Sequence, residues 1–218
     1  MPSIYIYKMT VDDGGAPCVR DGLLTLAICK PAIRRSAKPG SIILAFAANH
    51  VQGWRPRGSY RDHSLIYIAE IKDNLPAGNY YGDHRYERRP DCIYKWEGDS
   101  LRYREQAKFH GDDASLRRDV GTRTSGYQNA HVLLSRKYKY FADSGPTPHV
   151  RELPVLSRMI FLLNQGHRIR YSKGLSEEIR TFAAMAWSLK SPFKSTPVPE
   201  ARCEQICDQG RDYTTVTC

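Results

Sequence analysis

Long apolar runs are absent from this 218-residue sequence. The longest candidates, Ser41–Ala48 and Met159–Leu163, are far shorter than the roughly 20 residues that a membrane-spanning helix needs. The amino-terminal residues also lack a basic region followed by a long apolar stretch, so we expect no secretory signal and a cytoplasmic location. The six cysteines are few and scattered, which disfavours a disulfide scaffold and predicts reduced thiols.

Most motifs of enzymes and metal sites are missing as well. The chain contains no G-x-x-x-x-G-K-[ST], G-x-G-x-x-G, H-E-x-x-H or G-x-S-x-G segment, so the common signatures of nucleotide-binding loops, zinc proteases and serine hydrolases are excluded. Cys203 and Cys207 lack a second pair of metal ligands, so a zinc site is not expected. We therefore predict no metal and no cofactor.

Acidic residues are absent from Gly22 to Arg61, although seven basic residues lie there. A second basic block, His131–Lys173, holds eight basic residues against two acidic ones, and these two segments carry the excess behind the net charge of +10. Clustered positive charge is typical of proteins that bind polyanions, so a nucleic acid or nucleotide is the expected partner, with no membrane. The alternative is a generally basic surface that serves solubility.

Short strands dominate the first two thirds of the chain, and two helices follow. Apolar or alternating runs predict strands at Ile4–Tyr7, Leu24–Cys29, Ser41–Ala48, Ser64–Lys72, Ile93–Trp96, Leu101–Arg104, His131–Ser135 and Tyr138–Phe141. A short helical turn is predicted over Pro31–Ala37 and a long loop over His110–Asn129. One carboxy-terminal helix begins at Pro154, and Ser176 is suited to cap the other.

This order of elements predicts an α+β fold. We expect a mostly antiparallel, barrel-like sheet with short helical insertions and two carboxy-terminal helices, forming one domain over residues 1–189. Residues 190–218 are rich in Pro, Ser and Thr and lose periodicity, so they predict a loosely structured tail with a short turn near Arg202–Cys207.

Several segments together resemble one known family. Leu26-Ala-Ile-Cys-Lys-Pro-Ala-Ile-Arg-Arg35 is similar to the "L-A-x-C-K-P-x-I-R-R" signature of the nucleotide-modification-associated domain family, type two, in which a Gly-Asp turn follows; here Ser41 replaces that Asp. Weaker matches follow in the same order over roughly residues 4–170, namely Tyr80-Tyr-Gly-Asp-His-Arg-Tyr86, Asp91-Cys-Ile-Tyr94 and His131–Phe141.

The resemblance implies a genomic context for the protein but does not define a reaction. Members of this family occur beside genes for DNA and nucleotide modification in bacteria and phages, so DNA-modification proteins are possible partners. The first half also resembles PUA-like barrels and their EVE and YTH relatives, in the segments Lys38–Leu44 and Leu65–Ile71. The resemblance to EVE and YTH domains implies an aromatic slot that holds a flipped, modified base.

Candidate ligand-binding residues lie in the signature and in the polar segments after the strands. Lys30, Arg34 and Arg35 are suited to bind phosphate, because guanidinium forks match its oxygens. The alternative is that the two arginines pair with acids such as Asp83 or Asp91 and hold the fold. The remaining candidates offer a base edge, aromatic faces or a charged loop: Asn49, Trp54, Tyr80, Tyr81, Asp83 and Arg85.

Cys29 also lies in the signature. It could act as a nucleophile only if a histidine and an orienting group meet it in space. The alternative is a small buried hydrophobic residue at the end of a strand. Catalytic residues therefore cannot be assigned from the sequence.

Two functions follow from these observations. The leading hypothesis is a binding module that recognises nucleic acid or a modified base or nucleotide in a DNA-modification or phage-defence setting. The alternative is an enzyme, a transferase or hydrolase that makes or removes a modified nucleobase, with Asp83, Arg34 and Arg35 around a nucleotide. A closed aromatic cage would favour the first, and an open cleft with a carboxylate within hydrogen-bond reach of a sugar or base would favour the second.

Overall fold

The computed structural model describes residues 2–164 and 166–197. Eleven strands lie in these ranges: β1 (Ile4–Asp12), β2 (Cys18–Arg20), β3 (Leu23–Leu26), β4 (Ile42–Gly53), β5 (Leu65–Glu70), β6 (Asp73–Leu75), β7 (Tyr94–Glu97), β8 (Ser100–Tyr103), β9 (Val132–Ser135), β10 (Lys137–Tyr140) and β11 (His167–Arg168). The helices are α1 (Pro31–Ser36), α2 (Asn79–Gly82), α3 (Asp113–Val120), α4 (Pro154–Leu162) and α5 (Lys173–Ser188), with a 3-10 turn at Ala142–Ser144.

The larger sheet has five strands in the order β10-β5-β4-β1-β11. β1 and β4 pair in parallel, with Tyr5 beside Ile43, and the other neighbours are antiparallel. β4 begins as the continuous apolar run that the sequence predicted to be buried on both faces, and residues 43–47 are buried. Helices α4 and α5 pack on one face of this sheet through residues such as Leu156, Ile179 and Phe182.

The smaller sheet has four antiparallel strands in the order β2-β3-β9-β6, and β7 pairs with β8 as a separate hairpin. A second apolar cluster links this sheet to the hairpin and to α2, and it contains Ile28, Tyr81, Ile93 and Phe109. The chain that follows β3 places Cys29 just before the start of α1. The candidate site therefore lies where the smaller sheet meets the first helix.

The α+β class with mostly antiparallel sheets is confirmed, and so are the hairpin and the two carboxy-terminal helices. Among residues 2–164 and 166–197 the strands form no closed barrel, and the PUA/EVE-like architecture is not confirmed. No helix in this part of the chain is long and apolar enough to cross a membrane.

Three local predictions were wrong. The predicted loop over residues 110–129 contains α3, whose amino terminus is capped by the side chain of Asp112. The last helix begins one turn earlier than expected, because Ser172 and not Ser176 caps it by accepting from the amide of Leu175. Tyr80 and Tyr81, expected in a polar segment after a strand, lie on α2 and are buried, because their rings pack into the second apolar cluster.

The chain beyond α5 is described as far as residue 197. Its backbone pairs with β2 there, since the amide of Thr196 donates to the carbonyl of Val19 at 2.9 Å, and Phe193 packs edge-on against Trp54. The turn predicted near Arg202–Cys207 lies outside the described residues.

Candidate active site

Cys29 lies between β3 and α1 in a backbone conformation that L-residues rarely adopt. Its φ is +56° and that of Lys30 is +44°, so two consecutive non-glycine residues are left-handed. Such strain persists only where surrounding contacts fix it, and it concentrates at functional sites. Here the amide of Cys29 donates to Asp119 Oδ1 at 2.9 Å, and its carbonyl accepts from Arg34 Nε at 2.6 Å. The side chain remains partly exposed.

A histidine and a carboxylate meet Cys29 in space. His110 Nε2 lies 3.7 Å from Cys29 Sγ, and His110 Nδ1 lies 2.7 Å from Asp119 Oδ2. Because an ionised carboxylate only accepts hydrogen bonds, Nδ1 carries a proton and Nε2 faces the sulfur. The arrangement is that of a nucleophile, a base and an orienting acid, which is the condition that the sequence set for a reactive Cys29.

Helix α3 positions the carboxylate. Asp112 caps its amino terminus, Asp113 lies in its first turn, Arg117 and Arg118 lie in its last turn, and these charges suit the helix dipole. Asp119 follows near the end of the helix, fully buried. The helix thus forms for local reasons and carries the acid to the side of Cys29.

Asp119 is the centre of the hydrogen-bond network. Besides Cys29 and His110, the hydroxyl of Tyr94 donates to its Oδ2 at 2.9 Å, and a guanidinium nitrogen of Arg34 lies 3.9 Å from its Oδ1. Burial raises the pKa of Asp119, but the positive charges of His110 and Arg34 outweigh that effect and hold the pKa below its usual value. The carboxyl is therefore ionised at neutral pH and fixed in one orientation.

His110 is held in its charged form by the same network. Burial lowers the pKa of His110, but the interactions with Asp119 and Cys29 outweigh it and raise the pKa to about 11. The imidazole is therefore protonated at neutral pH. A positive charge within hydrogen-bond reach of a thiol stabilises the thiolate, which is the nucleophilic form.

The segment before β2 fixes the ring that precedes His110. Phe109 is buried, and a Cβ on Gly15 would come within 2.9 Å of its ring, so only glycine allows this close approach. Asp13, two residues earlier, accepts from the Gly15 amide at 3.0 Å. Burial raises the pKa of the Asp13 carboxyl, and backbone hydrogen bonds and the charge of His110 offset this only in part. A second carboxyl thus lies within the electrostatic reach of the histidine.

Arg34 occupies the centre of the fold instead of its surface. Its side chain is 0% exposed and donates to four backbone carbonyls, those of Cys29, Asn129, His131 and Asp119, at 2.6–2.8 Å. This is the arrangement of the structural alternative, although neither Asp83 nor Asp91 is the partner. Arg34 supports the loop that carries Cys29.

The other basic and polar candidates of the first block are more accessible. The ammonium of Lys30 lies 5.0 Å from the centre of the Tyr7 ring, next to Cys29 in sequence, and Arg35 is exposed with one nitrogen bonded to Asn129 Oδ1 at 2.9 Å. Asn49 is exposed on β4. Of the nine predicted ligand residues, the structure brings Lys30, Arg34 and Arg35 together around α1.

The predicted aromatic residues do not form an open slot. Tyr80 and Tyr81 are buried, and their hydroxyls donate to Asp91 at 2.9 Å and to the Ala27 carbonyl at 2.7 Å. The indole of Trp54 donates to the Tyr140 hydroxyl at 2.9 Å. All three rings are therefore used in packing.

Asp83 and Arg85 form a surface ion pair with each other. Two guanidinium nitrogens of Arg85 bond Asp83 at 2.5–3.0 Å, which lowers the pKa of Asp83 to about 2. Asp91 is buried elsewhere, 3.5 Å from Arg89 Nε. Neither acid approaches the arginines of α1.

His110, Asp119 and Tyr94 were not among the predicted ligand residues. His110 and Asp119 stand 81 and 90 residues from Cys29 in a polar stretch, so periodicity gives no signal for them. The one local signal is the capping pattern Asp112-Asp113-Ala-Ser115, which marks a helix start.

Metal ligands do not cluster in the described part of the chain. Within residues 2–164 and 166–197 no group of three or more His, Cys, Asp or Glu side chains is placed to hold a metal ion. Cys203 and Cys207 lie outside the described residues. Cys18, Cys29 and Cys92, the cysteines inside them, form no disulfide.

The fold and the site together define an α+β protein with a strained, partly exposed cysteine that contacts a histidine and a buried carboxylate. The chain matches the family described as nucleotide modification associated domain 2 over residues 1–199, and it belongs to that family. The match confirms the resemblance of the signature and extends beyond α5. No curated protein and no solved structure matches the chain.

Proposed function

We propose that this protein is an enzyme, a transferase or hydrolase that makes or removes a modified nucleobase with Cys29 as its nucleophile. The observation that carries the proposal is the contact of Cys29 Sγ with His110 Nε2 at 3.7 Å, together with the 2.7 Å bond from His110 to Asp119. The description of the family as nucleotide modification associated supports a nucleotide or nucleic acid as the substrate class.

The geometry suggests a two-step displacement. The thiolate of Cys29 forms a bond to the electrophilic carbon of the group to be moved, and the leaving group takes the Nε2 proton of His110. In the second step the neutral imidazole removes a proton from water or from an acceptor, whose oxygen or nitrogen displaces the sulfur. The proton returns to His110, and Asp119 keeps the ring oriented throughout.

The binding-module hypothesis receives less support from the geometry. A base-reading slot needs an aromatic face open to the ligand, but Tyr80 and Tyr81 are buried. The partly exposed Trp54 ring packs edge-on against Phe193 and lies 5.1 Å from the Arg55 guanidinium. A pure binding module also gives no reason for a strained cysteine beside a charged histidine. The enzyme alternative accounts for both features.

Thiol alkylation tests the reactive state of Cys29. About 1% of an ordinary thiol is ionised at pH 6.5, and the lower nucleophilicity of a stabilised thiolate reduces the advantage of full ionisation to about tenfold. We expect iodoacetamide at pH 6.5 to modify Cys29 roughly tenfold faster than an ordinary thiol, as measured by mass spectrometry of the individual peptides, and His110→Gln to remove the difference.

Cys92 and Cys18 are internal controls. Both are buried, and burial raises the pKa of Cys92 to about 12 and that of Cys18 further. They are expected to stay unmodified in the folded protein. If Cys29 reacted no faster than the thiol of free glutathione, the proposed nucleophile would be wrong.

Substrate trapping tests the reaction. The protein is incubated with oligonucleotides that carry acyl- or aminoacyl-substituted nucleobases, and the Cys29 peptide is searched for the mass of the transferred group. We expect an adduct on Cys29 and loss of the substituent from the oligonucleotide, both abolished by Cys29→Ala. Turnover that persists in Cys29→Ala would contradict the proposal.

A further inference from the structure

Three of the sequence motifs do not contribute to the Cys29 site, and the fold brings them to two adjoining depressions. The first is lined by the charged loop after α2 and the β9–β10 junction, and its lining includes Lys72, Asp73, Arg85, Tyr86, Ser135 and Arg136. The second is lined by the turn after Lys38; it shares Lys72 and Arg136 with the first and adds Gly40, Glu70 and Lys137. The two depressions adjoin at Lys72 and Arg136 and are together called the groove.

The groove lies where the chain passes between the two sheets. Lys72 connects β5 to β6, and its amide donates to the Leu134 carbonyl at 2.8 Å. Arg136 connects β9 to β10, and the adjacent Ser135 hydroxyl bonds the carbonyls of Glu70 and Lys137 at 2.7 and 2.8 Å. The backbone beneath both cations is therefore fixed by hydrogen bonds, although their side chains are exposed.

The cations of the groove differ in how they are neutralised. Lys137 pairs with Glu70 at 2.6 Å, and Arg85 pairs with Asp83. Within residues 2–164 and 166–197, neither Lys72 nor Arg136 forms an ion pair. Among the described residues, Lys72 and Arg136 thus line the groove without an ion-pair partner, and the groove holds four basic side chains against the carboxylates of Glu70 and Asp73.

We propose that this groove binds the phosphate groups of a nucleic-acid strand through Lys72 and Arg136. A guanidinium fork and an ammonium are the side chains that phosphate oxygens prefer. Stacking of a base is not part of the proposal, because the Tyr86 ring is stacked on Tyr80 at 4.7 Å and covered by Arg85 at 5.4 Å. The contacts are to the backbone of the strand and are independent of its sequence.

The groove lies close enough to Cys29 for one nucleic-acid strand to reach both places. Leu23 lines the groove at the start of β3, and Cys29 follows six residues later, so the two places are at most about 20 Å apart along an extended chain. About six stacked nucleotides span that distance at ~3.4 Å each. That the strand is the substrate of Cys29 rests on the proposed function, whereas the phosphate contacts of the groove do not.

Binding of a fluorescent 20-nucleotide single strand, measured by anisotropy across a salt series, tests the groove. Each lost phosphate contact lowers the log–log salt slope by about 0.7 for single strands. We expect the double variant Lys72→Ala/Arg136→Ala to lower the slope by roughly 1.4 and the affinity by about tenfold at low salt. Alkylation of Cys29 is expected to stay unchanged, so failure here and failure of the proposed nucleophile are separate results.

Arg151→Ala/Arg158→Ala is the matched control. It removes the same amount of charge, from exposed positions of the second basic block that lie outside the groove, and it should leave the slope nearly unchanged. Equal losses in the two double variants would overturn the proposal, because net charge alone would explain them. Competition by a nucleoside monophosphate at the same concentration as the strand would also overturn it, since the groove would then take a free nucleotide.

Discussion

The guanidinium of Arg34 shows how a buried cation can stabilise a loop. Four carbonyl oxygens from three segments of the chain surround it, and two of them belong to Cys29 and Asp119, which are part of the candidate site. A planar fork can satisfy several such acceptors at once, whereas an ammonium has three donors on one atom. Arg34 therefore joins α1, α3 and the segment before β9 at one point.

Exchanging each arginine of α1 for lysine should distinguish the buried arginine that stabilises the fold from the exposed one. Arg34→Lys leaves buried carbonyls unsatisfied, which costs about 1–3 kcal/mol each, so we expect the free energy of unfolding to fall by roughly 3 kcal/mol or more in urea titrations. Arg35→Lys changes one exposed contact and should stay within about 0.5 kcal/mol of the parent. Equal stability of the two variants would contradict the structural role of Arg34.

At the residue scale, the sequence predicted a nucleophilic Cys29 only on the condition that a histidine and an orienting group lie beside it in the fold. The signature placed a cysteine before a proline-initiated turn, and α1 does begin at Pro31. Whether a histidine meets that cysteine depends on contacts across more than 80 residues, which no local pattern encodes. The burial of Arg34 could not be predicted either, because its partners are backbone carbonyls, and these leave no pattern in the sequence.

Helix α3 is the element on which the candidate site depends most. It carries Asp119, its cap Asp112 lies two residues after His110, and it lies against α1. The polar composition of its sequence hid it, since α3 buries only Ser115, Asp119 and Val120 and has no apolar stripe. Strands with continuous apolar runs such as β4 were predicted well, because burial on both faces leaves a clear pattern.

Loss of the α3 cap should weaken both the helix and the site. Asp112 accepts from the amide and the hydroxyl of Ser115 at 2.9 and 2.6 Å, so Asp112→Ala is expected to cost about 1 kcal/mol of stability. We also expect slower alkylation of Cys29, because fraying of the first turn loosens His110. Asp113→Ala removes only a favourable charge in the first turn and should have a smaller effect on both measurements.

At the scale of the whole molecule, only part of the positive charge behind the net charge of +10 is accessible to a ligand. In the first basic block Arg34 is buried, Arg55 pairs with Asp143 at 2.9 Å and Arg61 donates to the Gly145 carbonyl. Composition predicted a polyanionic partner, but it could not show which cations are buried or paired within the fold. The second block contributes Arg136 to the groove, which is where accessible charge and a concave surface coincide.

The stability of the folded protein as a function of pH should report the charge state of the candidate site. The pKa of His110 is raised from 6.5 to about 11, so its contribution is fully present below pH 6.5 and is lost as pH rises through about 11. The thiolate form of Cys29 that the proposed function requires would change the pH at which this loss begins. The unfolded thiol keeps its proton up to about pH 8.5, so until then the folded and unfolded pairs hold equal numbers of protons.

We therefore expect the stability advantage of the parent over His110→Gln to be flat between about pH 6.5 and 8.5 and to fall by roughly 1.4 kcal/mol per pH unit above that. Urea titrations of both proteins between pH 6.5 and 10 measure this difference, and subtraction cancels the titration of the buried tyrosines that both share. A decline that begins at pH 6.5 would mean that Cys29 is a neutral thiol beside the imidazolium. A constant difference up to pH 10 would mean that His110 does not hold its proton, and both results would contradict a thiolate–imidazolium pair at the candidate site.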